Sequence, residues 1–216
     1  MSTQSDKPAD PYKEKNVDNN LSIQEKVDGL VAFVKAHKFA MMTTRQTDND
    51  SLVSRCMAIK DFESGIDLIF QTNTETGKAE ELAEHADVNV SFLDSTIGSW
   101  ASFSGKATIH RDRETVHKYY SEDLKAWVGD LGDGVHNGGP DDPRIGIIRV
   151  KVKSVTYSLQ KDKTTSIGTG FASLKQATQV AVGTITGNVP KVTRLIELTE
   201  AEVETYRTSK NMVGSV

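Results

Sequence analysis

The sequence has one cysteine, no long apolar run and no surplus of positive charge. A lone cysteine, Cys56, allows no disulfide within the 216-residue chain, so a reducing compartment is expected. No segment approaches the ~18 apolar residues of a membrane-spanning helix, and the N-terminus shows no signal-peptide core. A net charge of −4 disfavours nucleic-acid binding. These absences predict a cytoplasmic protein that binds neither membranes nor nucleic acids.

Several familiar chemical motifs are also missing. The five histidines are scattered without the spacing of a metal site. No glycine-rich nucleotide-binding pattern follows a candidate strand, which disfavours Rossmann and P-loop folds. The acidic loop over residues 129–143 lacks the residue order of a calcium-binding loop, so we predict no metal site.

The chain divides into three parts by composition. Residues 1–20 are polar and predict a disordered tail, residues 21–160 a single domain, and residues 161–216 a C-terminal α/β extension that packs on it. At the start of the domain, Ser22 and Glu25 form a capping-box pattern that opens an amphipathic helix over 22–37.

Short segments rich in β-branched and aromatic residues dominate the domain. The candidate strands are residues 39–45, 52–59, 66–72, 88–94, 99–110 and 145–160. Their succession predicts an antiparallel sheet that closes into a barrel or a sandwich. Helices are predicted over 76–85, with Ala79, Leu82 and Ala83 facing inward, and over 111–128. The extension is predicted to contain a helix near 172–186, a strand over 192–198 and a short helix from Glu200.

Two cations mark a candidate anion site. Arg55 lies in an otherwise apolar strand and needs a partner, for which a phosphate is well suited. Lys78 lies in the first turn of a helix, where a cation is unfavourable unless an anion binds. Thr72 and Thr76 supply hydroxyl donors close to this helix start. Two simpler interpretations remain open: Arg55 pairs with a buried carboxylate, and Lys78 is solvated.

These motifs, taken together, resemble the flavin-binding split-barrel family typified by pyridoxamine 5'-phosphate oxidase. The matching segments are RCMAIK (55–60), FQTN (70–73), TGK (76–78) and a tryptophan five residues before GKA (105–107). FAMMTTR (39–45), SWASFSGKA (99–107), DLKAWVGDLGDG (123–134) and DPRIGIIRV (142–150) resemble its general-stress-protein branch, which includes blue-light-inducible fungal proteins. The resemblance implies a mainly β split barrel with flanking helices, which binds FMN between the subunits of a homodimer.

The resemblance also implies roles for individual residues. Arg55, Lys60 and Lys78 would hold the flavin phosphate, Gln71 and Thr72 would contact the isoalloxazine and ribityl region, and Trp100 would cover part of the ring. The motifs also include Cys56 and Thr76 among the predicted cofactor-binding residues.

Three departures from the family pattern limit these expectations. Gly77 replaces an arginine of the oxidase's basic pair, Gln71 replaces a tyrosine, and the last fifty residues contain no arginine-x-histidine substrate motif. Oxidation of pyridoxamine 5'-phosphate is therefore not expected. Arg55 and Lys60 lie on opposite faces of a regular strand, so a shared role requires a bulge or a strand that ends before Lys60.

Three functions remain open from the sequence. The first is a small FMN-dependent oxidoreductase of unknown substrate, reduced for example by a nicotinamide. The second is a non-catalytic flavin carrier or a redox or stress sensor. The third is a split barrel that uses another cofactor, such as a deazaflavin, while haem is disfavoured because only Cys56 is near as an axial ligand. Trp127 is a candidate to pack on the partner's flavin, although core packing is the more common role of such a residue.

Overall fold

Six antiparallel strands close into a barrel in a computed structural model that describes residues 10–160, 185–188 and 193–213. Around the barrel the strand order is β3-β2-β1-β4-β5-β6, and β6 pairs back with β3. The strands are β1 (Phe39–Arg45), β2 (Leu52–Glu63), β3 (Asp67–Asn73), β4 (Asp87–Asp94), β5 (Ser99–His110) and β6 (Ile145–Gln160). The predicted split-barrel fold is confirmed, and all six strands lie where the sequence placed them.

Strand β6 is long enough to pair with two successive neighbours along one edge. Its first half pairs with β3, and its second half pairs with β7 (Thr193–Leu198), the strand predicted over 192–198. On its other edge it pairs with β5, with a shift of register between Ser104 and Gly105. A Cβ at Gly105 would lie 2.5 Å from the Lys151 carbonyl oxygen, so only glycine permits this close approach.

The barrel interior is filled by the inward-facing residues of each strand, as strand alternation dictates. They include Met42, Phe70, Phe92 and Phe103, all of which are fully buried, and the rings of Phe92 and Phe103 pack edge to face. A smaller apolar cluster lies outside the barrel, between β3, β6 and the helix that begins at Arg113.

In the described residues, the helices that flank the strands include α1 (Pro11–Asn16), α2 (Ile23–Ala36), α3 (Gly77–Glu84), α4 (Arg113–Tyr119), α5 (Lys125–Val128) and α6 (Glu200–Val213). The capping box predicted at the start of α2 is present, with the Ser22 hydroxyl bound by the Glu25 N–H and the Glu25 carboxylate by the Ser22 N–H.

The helix predicted over 111–128 is interrupted. After α4 the backbone of Tyr120 and Ser121 is extended, and a short 3₁₀ turn over Glu122–Leu124 then leads into α5. The break has a partner in the barrel, because the Gln71 amide donates to the Tyr119 carbonyl and the Ser121 hydroxyl. A local helical pattern cannot reveal such a tertiary contact.

Both ends of the chain contain more regular structure than their composition suggested. Within the segment predicted as a tail, α1 begins with an Asp10 cap, and Val17 after it bridges Leu195 of β7. Helix α6 has 14 residues rather than being short. Most of the helix predicted near 172–186 lies outside the described residues.

A buried ion pair fastens α6 to the barrel. The Arg207 Nε and Nη2 donate to the Asp67 carboxylate at 2.9 and 2.7 Å, and Nη2 also donates to the Val152 carbonyl at 2.6 Å. Both side chains are more than nine-tenths buried. The C-terminal helix is therefore integral to the barrel that positions the candidate site.

Candidate functional site

Arg55, on the inner face of β2, is held in a three-residue hydrogen-bonded network. Its Nη1 and Nη2 donate to the two carboxylate oxygens of Glu81 on α3, at 2.7 and 2.6 Å. The Thr44 hydroxyl of β1 accepts from Nη1 at 2.8 Å and donates to Glu81 at 2.6 Å. The hydrogen bonds from Arg55 lower the pKa of the Glu81 carboxyl despite its burial. The open alternative of a carboxylate partner for Arg55 is thus the one observed.

This pairing leaves one edge of the guanidinium free. An arginine has five N–H donors, and the bonds to Glu81 and Thr44 use both on Nη1 and one on Nη2. The Nε donor and the second Nη2 donor have no partner among the described residues. The Nε atom of Arg55 is not one of the buried side-chain atoms in the described segments that lack a partner. Solvent or a ligand can therefore reach it. The side chain as a whole remains 32% exposed, against 7% for Glu81.

Lys78 lies beside this network as a half-buried cation. Its Nζ lies 3.4 Å from the Met57 sulfur, and it forms no ion pair with any carboxylate of the described segments. Burial lowers the pKa of the Lys78 ammonium to about 8, repulsion from Arg55 lowers it as well, and Glu81 partly opposes both. An anion bound here would relieve the cost of this charge.

The start of α3 adds hydroxyl groups but no strong cap. Thr76 is the N-cap residue, yet its side chain accepts no N–H from the first turn, and its hydroxyl donates to the Asn73 carbonyl at 3.0 Å. Thr72 is buried, and its hydroxyl also donates to that carbonyl, at 3.2 Å. At Gly77, where the family has an arginine, an added Cβ would meet no atom within 4 Å.

Gln71 lies on the opposite face of β3 from Thr72 and is committed elsewhere. Its amide nitrogen donates at 2.9 and 2.8 Å to Tyr119 and Ser121, which anchors the break between α4 and α5. A contact between Gln71 and a flavin stays a prediction, and it would require this side chain to serve both purposes.

Lys60 and Cys56 lie on the outer face of β2, away from Arg55. A bulge does occur at Lys60, because Ile59 pairs with Phe70 and Asp61 with Ile69. Alternation is unbroken from Arg55 to Ile59, however, so the bulge comes too late to bring Lys60 to the inner face. The structure therefore separates Lys60 from Arg55 and Lys78, and a phosphate contact from Lys60 stays a prediction.

The outer face of β1, β2 and β4 exposes several apolar side chains. We define the outer apolar face as Phe39, Met41, Cys56, Ala58 and Leu93, all exposed. Met41 pairs with Cys56, and Phe39 pairs with Ala58. Trp100 of β5 is half-buried and pairs with Leu93 at the edge of this face. Cys56 and Trp100, both predicted cofactor residues, thus lie on or beside one exposed surface.

A second exposed apolar segment follows α4. Trp127 on α5 is 81% exposed, and Leu131 and Val135 in the following loop are exposed as well. The loop is braced from below by buried Arg144, which binds Asp142 and the carbonyls of Val128 and Gly129. Trp127 is therefore a surface residue rather than part of the core.

The described segments show no cluster of metal-binding side chains, and none of their helices is long and apolar enough to cross a membrane.

Sequence reasoning missed two members of the network around Arg55, Glu81 and Thr44. It placed Ala83 on the inner face of α3, but Ala83 is exposed and Glu81 is buried instead. The available signal was Arg55 itself, since a cation in an apolar strand requires a partner.

The fold and this site define a split barrel with two neighbouring cations, Arg55 of β2 and Lys78 at the start of α3. Residues 25–181 match the family model described as "Pyridoxamine 5'-phosphate oxidase like". The chain belongs to this family, and the resemblance inferred from its motifs is confirmed.

Known relatives agree with the assignment. The chain is 47% identical to Protein bli-3 of Neurospora crassa over 204 residues, which cover 94% of this chain and 93% of that protein. It is 26% identical to General stress protein 26 of Bacillus subtilis over 149 residues, 68% of this chain and 95% of that one. A pyridoxamine 5'-phosphate oxidase-related, FMN-binding protein of Nostoc punctiforme shares the fold, with a TM-score of 0.50 and 12% identity over 64% of this chain and 85% of that one.

Proposed function

We propose that this protein binds FMN and that its phosphate lies between the free edge of Arg55 and the ammonium of Lys78. The observation that carries the proposal is Lys78, a half-buried cation with no carboxylate partner in the described segments. Together, the side chains of Lys78, Arg55 and Glu81 carry a net charge of +1, which suits an anionic ligand. A fold relative named as FMN-binding makes FMN the favoured ligand.

The residues present are compatible with this cofactor. A phosphate can accept two bonds from the Nε and Nη2 edge of an arginine and one from a lysine. The first N–H groups of α3, to which the Thr76 side chain provides no cap, add donors at the start of this helix. A bound FMN would supply one- and two-electron redox chemistry, while the protein binds and orients it.

We further propose that two copies associate through the outer apolar face, with the flavin at their interface. Monomeric proteins rarely leave large contiguous apolar patches exposed. Phe39 on β1 is 60% exposed, and Leu93 on the neighbouring strand β4 is 63% exposed. Burying these side chains in a dimer would remove this apolar surface from water and bring Cys56 and Trp100 to the interface.

With a flavin bound, the favoured activity is that of a small oxidoreductase that accepts electrons from a nicotinamide. The alternative is a flavin carrier or sensor that does not turn over. No arginine-x-histidine motif is present in the last fifty residues, so pyridoxamine 5'-phosphate is not the proposed substrate.

Flavin retention tests the proposal. The purified protein is mixed with FMN, passed through a desalting column and examined by visible absorption. The wild type is expected to retain flavin, and the variant Arg55→Gln/Lys78→Met to lose it with an unchanged circular dichroism spectrum. A wild type that retains no FMN would contradict the proposal. Anaerobic bleaching by NADH or NADPH, followed by reoxidation in air, would distinguish the oxidoreductase from the carrier.

The oligomeric state is tested by sedimentation. Met41→Glu, on the outer apolar face, is expected to convert a dimer to a monomer. Met212→Glu on α6 is the matched control, because Met212 is also exposed but lies elsewhere. A wild type that sediments as a monomer in the presence of FMN would contradict the dimer.

A further inference from the structure

Glu81 binds one of the two cations between which the phosphate is proposed to lie, although a carboxylate there repels an anion. Its side chain is only 7% exposed, and both of its oxygens accept from Arg55. A buried carboxylate in an anion site needs a compensating function. The geometry of the arginine supplies one.

A guanidinium offers a carboxylate or phosphate two bidentate edges, one formed by Nη1 and Nη2 and the other by Nε and Nη2. Glu81 occupies the first edge, and Thr44 takes the remaining hydrogen of Nη1. The second edge is left intact and accessible. The partners come from two other elements, β1 and α3, so the guanidinium plane is fixed by the fold rather than by Arg55 alone.

We propose that Glu81 and Thr44 are positioning residues, which hold Arg55 so that its Nε and Nη2 edge meets the flavin phosphate. This inference rests on the proposed function. It assigns to Glu81 a net favourable effect on FMN affinity, because orienting a bidentate donor outweighs the repulsion between the carboxylate and the phosphate. Glu81 also opposes the loss of the proton from Lys78, which favours the charged form of the second cation.

The substitution Glu81→Asp separates orientation from charge. Aspartate keeps the negative charge but is one methylene shorter, so it cannot maintain both bonds to Arg55. Affinities for FMN and for riboflavin, which lacks the phosphate, are measured by flavin fluorescence. We expect about a tenfold loss of FMN affinity, the scale of one charge-assisted hydrogen bond, with riboflavin affinity unchanged. Thr44→Val, which keeps the shape but removes the hydroxyl, is expected to lose only about threefold in FMN affinity, because Arg55 keeps both of its bonds to Glu81.

A double-mutant cycle tests whether Glu81 acts through Arg55. In an Arg55→Gln background, Glu81→Asp is expected to cause no further loss of FMN affinity. An equal loss in both backgrounds would overturn the proposal, as would an unchanged or raised FMN affinity in Glu81→Asp alone. Should Glu81→Asp fail to fold by thermal unfolding, Thr44→Val decides, and unchanged FMN affinity in that variant overturns the inference.

The two levels of the argument fail differently. If the wild type shows no preference for FMN over riboflavin, the proposed phosphate site itself is wrong. If the wild type prefers FMN and Glu81→Asp keeps that preference, the phosphate site stands and only the positioning role of Glu81 is lost.

Discussion

Two arginine–carboxylate pairs in this barrel use different edges of the guanidinium. In the pair of Arg207 with Asp67, the carboxylate binds Nε and Nη2, while Nη1 binds Glu204 and Nη2 also binds a backbone carbonyl. In the pair of Arg55 with Glu81, the carboxylate binds Nη1 and Nη2, and Nε stays free. The first arginine is spent on holding helix to barrel, and the second keeps donors for a ligand.

The two arginines also differ in how far their side chains are buried. The Arg207 side chain is 8% exposed and that of Arg55 is 32% exposed, although their carboxylates are equally buried. An ion pair alone therefore does not identify an arginine as structural. The number of its donors still free, and whether they reach solvent, is the more informative observation.

The largest expected effect is a loss of stability when the buried pair of Arg207 with Asp67 is broken. Asp67→Asn leaves the charge of Arg207 buried and poorly compensated, which costs about 3 kcal/mol in the free energy of unfolding. Urea denaturation measures this loss. The exposed pair of Arg45 with Asp50 provides the control, because Asp50→Asn should leave the free energy of unfolding almost unchanged. Comparable losses in the two variants would contradict the structural role of the buried pair.

The next effect is on FMN affinity, at Lys78 beside the pair of Arg55 with Glu81. Lys78→Met keeps the apolar stem beside Met57 but removes the charge, so FMN affinity is expected to fall about tenfold while riboflavin affinity is unchanged. Stability should not fall, since a half-buried cation without a carboxylate partner is removed. Lys60→Met is the matched control on the outer face of β2. A selective loss of FMN affinity in that control would instead place Lys60 in the phosphate site.

The titration of Lys78 provides a related test, because stability and FMN affinity are expected to change with pH in opposite directions. In the flavin-free protein its pKa of about 8 lies below the value of 10.5 for the unfolded chain, so the unfolded state binds more protons between these values. Stability is therefore expected to rise with pH from about 8 to 10.5. FMN affinity should fall as pH rises above 8, because the ammonium that binds the phosphate is lost. Lys78→Met should flatten both profiles, and a pH dependence that survives in this variant would assign the titration to another group.

The sequence predicted the barrel well because strand alternation and turn composition are local signals. It also drew attention to Arg55 and Lys78 as candidates for an anion site, which stays a prediction, since a cation in an apolar strand or in a first helical turn is locally unfavourable. It could not predict the break after Tyr119, which depends on the Gln71 side chain from a distant strand.

The error on α3 shows the same limit at the site itself. Ala83 and Glu81 flank Leu82 on the helix, and hydrophobicity alone favours alanine as the buried neighbour. The helix instead turns its carboxylate inward, because the Arg55 guanidinium and the Thr44 hydroxyl satisfy it. Pairing energy across three elements overrides the local preference of one residue.

The smallest expected effect is a gain of affinity. Gly77→Arg places a cation where the family has one, and an added Cβ there meets open space. FMN affinity should rise a few-fold, about 1 kcal/mol or less for one exposed charge. Gly77→Gln is the control for the change in helix propensity. If Gly77→Gln gains as much FMN affinity as Gly77→Arg, the added charge contributes nothing.

The central claim is that the free Nε and Nη2 edge of Arg55 and the Lys78 ammonium bind the FMN phosphate. The preference for FMN over riboflavin tests it most directly. The ratio of the two dissociation constants is measured in the wild type and in Arg55→Gln/Lys78→Met. We predict that the wild type prefers FMN by about tenfold or more, the scale of one charge-assisted bond, and that the variant binds both flavins alike. A variant that keeps the wild-type preference would contradict the account, because the phosphate would then be bound elsewhere.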